Sequence, residues 1–305
     1  MLLSIITVSY NTKKFTLQTI ASVLAEIKNS NRLRNNTEII IVDNNSEDDT
    51  LQSIKAEFSH SSYIKILKNT ENVGFALANN QGIENASGQY ILLLNSDTIV
   101  QIGALEKLVT AFEQREHLGV VATTLVNPDG SLQRQGGNFP TLVSLTTHML
   151  FLDDIPVIGK LLPSTQHTGK THREITQVDW VGGTAMMVRR EVFSEVGGLD
   201  KNIFMYGEDM EFCMRAKDHH WEVAIDPEAK ITHFGSASSS SANAVVGELN
   251  AYLYIWSKHK PFWQMPIVRS ILKTGAVLRI VTFGFIFRQK EKARPYRSFL
   301  HHMVK

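Results

Sequence analysis

From Leu2 to Thr123 the chain alternates short, continuous apolar runs with longer stretches of helical period. Leu2–Val8, Glu38–Val42, Tyr63–Leu67, Tyr90–Leu94 and Leu118–Thr123 have strand length and are rich in Ile, Leu and Val, as in strands covered on both faces. Between the first two, Lys13–Ile27 places Phe15, Leu17, Ile20, Val23, Leu24 and Ile27 on one helical face, with Thr12 as its N-cap. Ser46 is read as the cap of a second helix whose first turn, Glu47-Asp48-Asp49, carries acids where the helix dipole favours them. Phe75–Glu84 and Gly103–Arg115 complete the series. This alternation predicts an α/β fold with a mostly parallel, doubly wound sheet, helices on both faces and right-handed crossovers.

Regularity is lost from Asn127 to Thr176, where Pro128, Gly130, Gly136, Gly137, Pro140, Pro156, Pro163 and Gly169 interrupt the pattern. So long an irregular stretch in a compact enzyme predicts a functional loop or lid. Periodicity returns with a strand over Trp180–Val188, helices over Arg189–Val196 and Glu208–His219, and short strands at Val223–Ile225 and Lys230–His233. Ser236–Ala242 reads as a Ser/Ala-rich linker, and the remainder is helical in character. An α/β domain over 1–235 followed by a tail over 236–305 is the expected organisation.

Four of the predicted strands lead into polar clusters: Ser9-Tyr10-Asn11, Asp43-Asn44-Asn45-Ser46, Asn69 to Gly74, and Asn95-Ser96-Asp97. Parallel strands bring their carboxyl ends to one sheet edge, so these clusters converge, as a shared ligand would require. Asp97, directly after the buried run Ile91–Leu94, can coordinate a hard divalent cation that neutralises the phosphates of a nucleotide; closing an Asx turn is its structural alternative. Asp43 can accept from a base N–H or a ribose hydroxyl, or cap the turn before Ser46. Neither G-x-G-x-x-G nor G-x-x-x-x-G-K-[ST] occurs, which argues against dinucleotide and P-loop enzymes.

Taken in order, Leu3-Ser4-Ile5-Ile6-Thr7-Val8-Ser9-Tyr10-Asn11, Ile40-Ile41-Val42-Asp43-Asn44-Asn45-Ser46, Asn72-Val73-Gly74-Phe75-Ala76 through Asn79-Asn80-Gln81-Gly82, and Leu94-Asn95-Ser96-Asp97 resemble the inverting family 2 glycosyltransferases of GT-A fold. The later block Gly182-Gly183-Thr184-Ala185-Met186-Met187-Val188-Arg189-Arg190, with Gly197-Gly198-Leu199-Asp200 and Tyr206-Gly207-Glu208-Asp209-Met210-Glu211-Phe212-Cys213, is similar to the rhamnosyltransferase branch. The resemblance implies a nucleotide-binding half over 1–126 and an acceptor-binding half over 127–235. It implies that Thr7, Ser9, Tyr10, Asn11, Asp43, Asn72, Gly74, Asn79 and Ser96 hold a sugar nucleotide. Asp97 and His233 would hold Mg²⁺ or Mn²⁺ at its diphosphate, with Asn95 standing where the family's usual D-x-D has its first aspartate. Asp209 would be the general base of a single inverting displacement. A helix N-terminus would lower that base's pKa, which works against the role. Trp180, Gly182, Gly183 and Glu208 would line the acceptor site. The implied donor is dTDP-L-rhamnose, with a UDP-hexose as the alternative, and the implied acceptor is a saccharide, often polyprenyl-diphosphate-linked, in bacterial surface polysaccharide synthesis. The Q-x-x-R-W signature of processive synthases is absent, so one sugar is expected per encounter.

Charge adds one feature that the patterning does not carry. The whole chain has 31 basic and 30 acidic residues, but from Trp256 onward eleven Lys/Arg face a single acid, Glu291, leaving 20 basic and 29 acidic before it. Within this tail Ile280–Phe287 is the longest uncharged run, well short of the ~20 apolar residues of a membrane span. Arg269, Lys273 and Arg279 fall on one side of a helical wheel, which predicts an interfacial helix against anionic lipid, each cation contributing about 1 kcal/mol. Packing onto the acidic body, or in a homodimer, is the alternative use of this basic helix. The single cysteine, Cys213, and an N-terminus without a basic leader pattern fit a cytoplasmic protein, peripheral on the inner face of the cell membrane. Outside the glycosyltransferases, a sugar nucleotidyltransferase would need a Gly-rich basic loop that the N-terminus lacks. A nucleic-acid-binding role fits poorly with the acidic body.

Overall fold

The computed structural model describes residues 1–153, 155, 174–235 and 241–303. Part of the expected lid (154 and 156–173) and most of the expected linker (236–240) lie outside the described residues. Two compact units are present: one built from 1–137 with 174–235, the other from 138–153 with 241–303.

The first unit is a sheet with strands β1 (Leu3–Ser9), β2 (Thr37–Asp43), β3 (Ile64–Lys68), β4 (Tyr90–Leu94), β5 (Thr98–Val100), β6 (Leu118–Val126), β8 (Thr176–Gln177), β10 (Ala185–Arg189) and β11 (Glu222–His233); β7 (Gly136–Gly137) and β9 (Trp180–Val181) pair as a separate ribbon. Helices α1 (Lys13–Asn29), α2 (Thr50–Glu57), α3 (Phe75–Glu84), α4 (Ala104–Gln114), α6 (Arg190–Val196) and α7 (Glu208–Asp218) connect them. The sheet order is β3-β2-β1-β4-β10-β6-β11-β5, with β8 on β11. The first four strands are parallel, as their crossover helices require, and β6 is parallel to β11.

Three departures from the sequence reading matter. β10 runs antiparallel to both β4 and β6, so the sheet is mixed at its centre. The predicted strand Trp180–Val188 is split by Gly182-Gly183 into β9 and β10. The two short strands near the end of this unit are one long β11, with a register break between Asp226 and Lys230 at Pro227.

The core consists of the apolar residues read from the strands and helices, among them Ile5, Ile39, Ile41, Leu92, Leu94, Ile20, Val23, Leu108 and Phe112. Local capping differs from expectation. Thr12 makes no cap bond; its hydroxyl meets those of Ser9, Thr16 and Ser96. Glu47-Asp48-Asp49 precede α2 rather than forming its first turn, and the Ser46 hydroxyl accepts from the Asn11 N–H. The N-terminus of α4 is satisfied from outside: buried Glu26 on α1 accepts from the N–H groups of Gly103 (2.7 Å) and Leu105 (3.2 Å).

The second unit is helical: α5 (Leu142–Met149), α8 (Ser241–His259), a 3₁₀ turn over Phe262–Gln264, α9 (Met265–Arg279), a π-helical segment over Ile280–Ile286, and α10 (Lys290–Met303). Its core joins Leu145, Met149, Leu249, Tyr252, Trp256, Val268, Leu272, Ala276 and Phe299. α5, which opens on a Thr141/Ser144 capping box, falls inside the stretch read as irregular and packs with the C-terminal helices. Gly275 lets α9 approach α5 closely: a Cβ there would stand 2.5 Å from the Met149 side chain.

Arg279 does not share the exposed side of α9 with Arg269 and Lys273, which corrects the helical-wheel reading. It is buried, donates to the Met149 and His148 carbonyls, and lies 4.3 Å from the Phe151 ring centroid. Those carbonyls at the end of α5 have no further helical turn to bond, and the guanidinium fork fits them. Arg279→Leu is expected to lower stability by about 1–3 kcal/mol, chiefly through the Met149 carbonyl left without its donor, read as an earlier urea unfolding midpoint by circular dichroism.

Candidate active site

The carboxyl ends of β1, β2 and β4 bring their polar clusters to one edge, and hydrogen bonds tie the clusters together. Ser9 and Thr12 share hydroxyl contacts, and Thr12 Oγ1 lies 3.1 Å from Ser96 Oγ. Asn11, with a positive φ of 53°, accepts from the Glu47 N–H and donates its own N–H to Ser46, joining the β1 end to the turn after β2. Thr7 and Ser9 are buried, Tyr10 is half-buried and Asn11 exposed. Asp43 is wholly buried. Its Oδ2 accepts from the Ser46 N–H at 3.4 Å, and its Oδ1 has no hydrogen-bond partner among the described residues. A buried orphan acceptor carries a desolvation cost that a ligand N–H or O–H would relieve.

The loop before α3 is organised by amides. Asn44 Oδ1 accepts from Asn69 and from the Val73 N–H, while its Nδ2 donates to Asn72 Oδ1, which also takes the Gly74 N–H. Gly74 has φ +87°, and a Cβ there would collide with Phe204, whose carbonyl accepts the Phe75 N–H. Asn79 lies within α3, buried, and donates to the Phe75 carbonyl.

Asp97 sits beyond β4, almost buried, with Oδ1 3.3 Å from His233 Nε2 at the end of β11. The Phe234 N–H donates to the Asp97 carbonyl, fixing the two strand ends against each other. Asn95 Oδ1 is buried and has no hydrogen-bond partner among the described residues. These three donors suit a hard divalent cation. Among the described residues no group of three or more His, Cys, Asp or Glu side chains could hold a metal alone. One carboxylate with substrate phosphates completing the shell is the usual way Mg²⁺ is held at a nucleotide.

Asp209 is the second residue of α7. Its Oδ2 accepts from the Gly183 N–H (2.9 Å) and its Oδ1 from the Met210 N–H (2.7 Å). The adjacent Thr184 carbonyl accepts from the Asn95 N–H at 2.9 Å. Asp209 is thus tied to one residue of the glycine turn while the next is tied to the end of β4. The turn lies in van der Waals contact with this side chain: a Cβ on Gly182 would stand 3.8 Å from Asp209 Oδ2, and one on Gly183 3.7 Å from Asp209 Cβ. Trp180 stands half-buried on β9, opposite Gly137. Gln135, which the sequence reading did not single out, exchanges two bonds with Gly182. Its only sequence signal was proximity to Gly136-Gly137.

Comparison with known proteins agrees with this arrangement. Residues 4–197 match the family described as Glycosyl transferase family 2. The chain belongs to that family. Among its relatives is the N-acetylglucosaminyl-diphospho-decaprenol L-rhamnosyltransferase of Mycobacterium tuberculosis, 23% identical over 79% of this chain and 81% of that protein. Another is the low-salt glycan biosynthesis hexosyltransferase Agl10 of Haloferax volcanii, 27% identical over 70% and 61%. A solved structure of GalNAc-T7 with UDP, GalNAc and Mn²⁺ aligns with TM-score 0.59 at 17% identity, covering 90% of this chain and 54% of that one. The fold is therefore GT-A-like, with additional C-terminal helices.

In this glycosyltransferase the two neighbouring carboxyls of α7 are both shifted upward. Burial pushes Glu208 up to about 8, with the Asp209 charge adding to it, and Glu208 Oε2 has no hydrogen-bond partner among the described residues. Burial also raises Asp209, against the lowering effect of the N–H groups of Gly183 and Met210. At Asp209 burial therefore outweighs these N–H groups, a balance the sequence left open. Folded Glu208 keeps its proton where the unfolded side chain has lost it, so wild-type stability falls as pH rises from about 4.5 to about 8. Glu208→Gln removes that loss: its melting temperature relative to wild type is expected to climb across this window and to show no gain below it, measured by thermal denaturation at stepped pH.

Proposed function

We propose that this glycosyltransferase moves L-rhamnose from dTDP-L-rhamnose, with inversion, onto a polyprenyl-diphosphate-linked saccharide acceptor in the synthesis of a bacterial surface polysaccharide. The observation that carries the mechanism is the Asp209 carboxylate, held by the Gly183 N–H in a glycine-walled turn whose next residue is bonded to the end of β4. In this reading Asp209 takes the proton of the acceptor hydroxyl as its oxygen attacks the anomeric carbon. The bond to the diphosphate breaks on the opposite face, and the nucleotide leaves with the electron pair. Burial supports the role, because a carboxylate with raised pKa is a stronger base. The rhamnosyl donor and the lipid-linked acceptor rest on the mycobacterial relative, which aligns over most of both chains.

Thr7, Ser9, Tyr10, Asn11, Asp43, Asn72, Gly74, Asn79 and Ser96 are assigned to the nucleotide, the unpartnered Asp43 Oδ1 supporting a ligand donor there. Trp180, Gly182, Gly183 and Glu208 are assigned to the acceptor; glycines allow close approach, and an indole face suits the C–H surface of a sugar. Asp97 and His233, with Asn95, would hold Mg²⁺ or Mn²⁺, which supplies positive charge to the departing diphosphate.

The helical unit is assigned to an anionic membrane surface on the cytoplasmic side. No helix among the described residues is long and apolar enough to cross a membrane. Yet the side of α9 opposite its buried residues Val268, Leu272 and Ala276 is apolar where solvent would favour charge: Trp263, Ile267, Val277, Val281 and Phe285 succeed one another along it, all exposed. Phe262 is 90% exposed, and Phe285-Ile286-Phe287 leads directly into Arg288. No acid occurs between Glu248 and Glu291, so exposed Arg269 and Lys273 on the same helix have no acidic neighbour in sequence to compete with anionic headgroups.

Three measurements test the reading. Thermal stabilisation by dTDP or dTDP-L-rhamnose in the presence of Mg²⁺ or Mn²⁺, lost in Asp97→Ala, is expected; stabilisation by UDP sugars alone would discard rhamnose while keeping the class. Asp209→Asn should cut transfer by about 100- to 10,000-fold while the nucleotide-dependent melting shift persists. In flotation with vesicles containing anionic lipid, wild type should float at low salt, and Phe285→Asp with Phe287→Asp should remain at the bottom.

A further inference from the structure

We infer that Gln133 is a positioning residue for His233: it fixes the ring tautomer that leaves Nε2 able to bind a divalent cation beside Asp97. This goes beyond the metal pair itself and rests on that reading.

The inference follows from which atoms can donate. Gln133 Nε2 lies 2.7 Å from the His233 backbone carbonyl and 2.6 Å from Asn127 Oδ1. A backbone carbonyl can only accept, so the Gln133 amide nitrogen must face it, and the amide cannot be flipped. Gln133 Oε1 is thereby turned toward His233 Nδ1, at 2.8 Å. An amide oxygen can only accept, so Nδ1 must carry the proton. In the neutral ring Nε2 then holds the lone pair, and Nε2 is the atom 3.3 Å from Asp97 Oδ1. In that tautomer Nε2 and the Asp97 carboxylate present two electron-pair donors side by side, a pair that a shared cation would bridge. An Nδ1–H bonded to a neutral acceptor is the usual outer partner of a metal-bound histidine.

The backbone holds Gln133 in place for this. Asn127-Pro128-Asp129-Gly130-Ser131 closes a tight turn through the bonds Asn127 N–H to Ser131 and Gly130 N–H to Asn127, after which the Gln133 N–H returns to the Leu125 carbonyl of β6. β6 is also the strand on which β11 lies, with Thr232 opposite Val126, so the same strand registers both partners.

The test combines Gln133→Leu, which removes acceptor and donor, with Gln133→Glu, which keeps the acceptor. Nitrogen-15 NMR of the histidine rings, with His233 identified by its loss in His233→Ala, reads the tautomer in metal-free protein. Mn²⁺ added alone is followed by broadening of the same signals. Wild type is expected as the Nδ1–H tautomer, with His233 broadened first among the rings. Gln133→Leu should lose the tautomer preference and need about 10- to 100-fold more Mn²⁺ for equal broadening, and Gln133→Glu should recover most of both. A purely structural tie would lower the melting temperature of both variants alike and leave the tautomer unchanged. Wild-type broadening that Gln133→Leu does not shift overturns the role of Gln133 alone. Absence of His233 broadening in wild type overturns the metal reading, and this role with it.

Discussion

The arrangement of the first unit depends on one constraint, the insertion of β10 antiparallel between β4 and β6. A parallel strand in that place would begin at the opposite edge. Because β10 runs the other way, its entering turn Gly182-Gly183-Thr184 lies against the carboxyl end of β4, where Asn95-Ser96-Asp97 begins. The Gly183 N–H ties the start of α7 to this turn through Asp209, and a ladder bond from Asn95 to Thr184 locks the register. Two pieces of chemistry separated by more than a hundred residues are thereby brought to one edge by a single strand pairing.

The carboxylates of this edge are stabilised differently from those on the surface. Asp43, Asp97 and Glu208 are almost wholly buried, and the contacts of Asp43 and Asp209 are backbone N–H groups rather than lysine or arginine. N–H groups offset only part of the desolvation cost of a buried anion, which is why Glu208 and Asp209 shift upward. Basic side chains would neutralise these groups permanently. Among the described residues Asp43 Oδ1 and Asn95 Oδ1 have no hydrogen-bond partner, a desolvation cost borne within the apolar sheet.

Around the apolar core of the helical unit, a few residues depart from the usual assignment of inside and outside. Arg279 is buried because it answers the carbonyls of His148 and Met149, while Trp263, Val281 and Phe285 are exposed. Basic residues beside exposed aromatics are not what a helix facing only water retains, and they suit an interface that offers both hydrocarbon and anionic groups.

Apolar runs by themselves determined the strands β1 to β4 and β6, and helices α1, α3, α4 and α7, to within a residue or three at their ends, because burial on both faces of a sheet leaves a period that needs no partner to be read. The same logic brought four polar strand ends to one edge. The antiparallel β10, the additional β5 and the continuity of β11 across Pro227 were decided only by tertiary pairing, since strand direction leaves no mark on side-chain alternation. Helix caps were decided there too: the Thr12 hydroxyl meets Ser9 and Ser96 across the edge as well as Thr16 on its own helix, Ser46 is met by Asn11, and Glu26 capped α4 from α1. Gln133 and Arg279 show the limit most clearly. Gln133 reads from sequence as an ordinary polar residue and Arg279 as a lipid-facing cation, and each owes its place to a backbone carbonyl, of His233 in one case and of Met149 in the other, that only folding brings within reach.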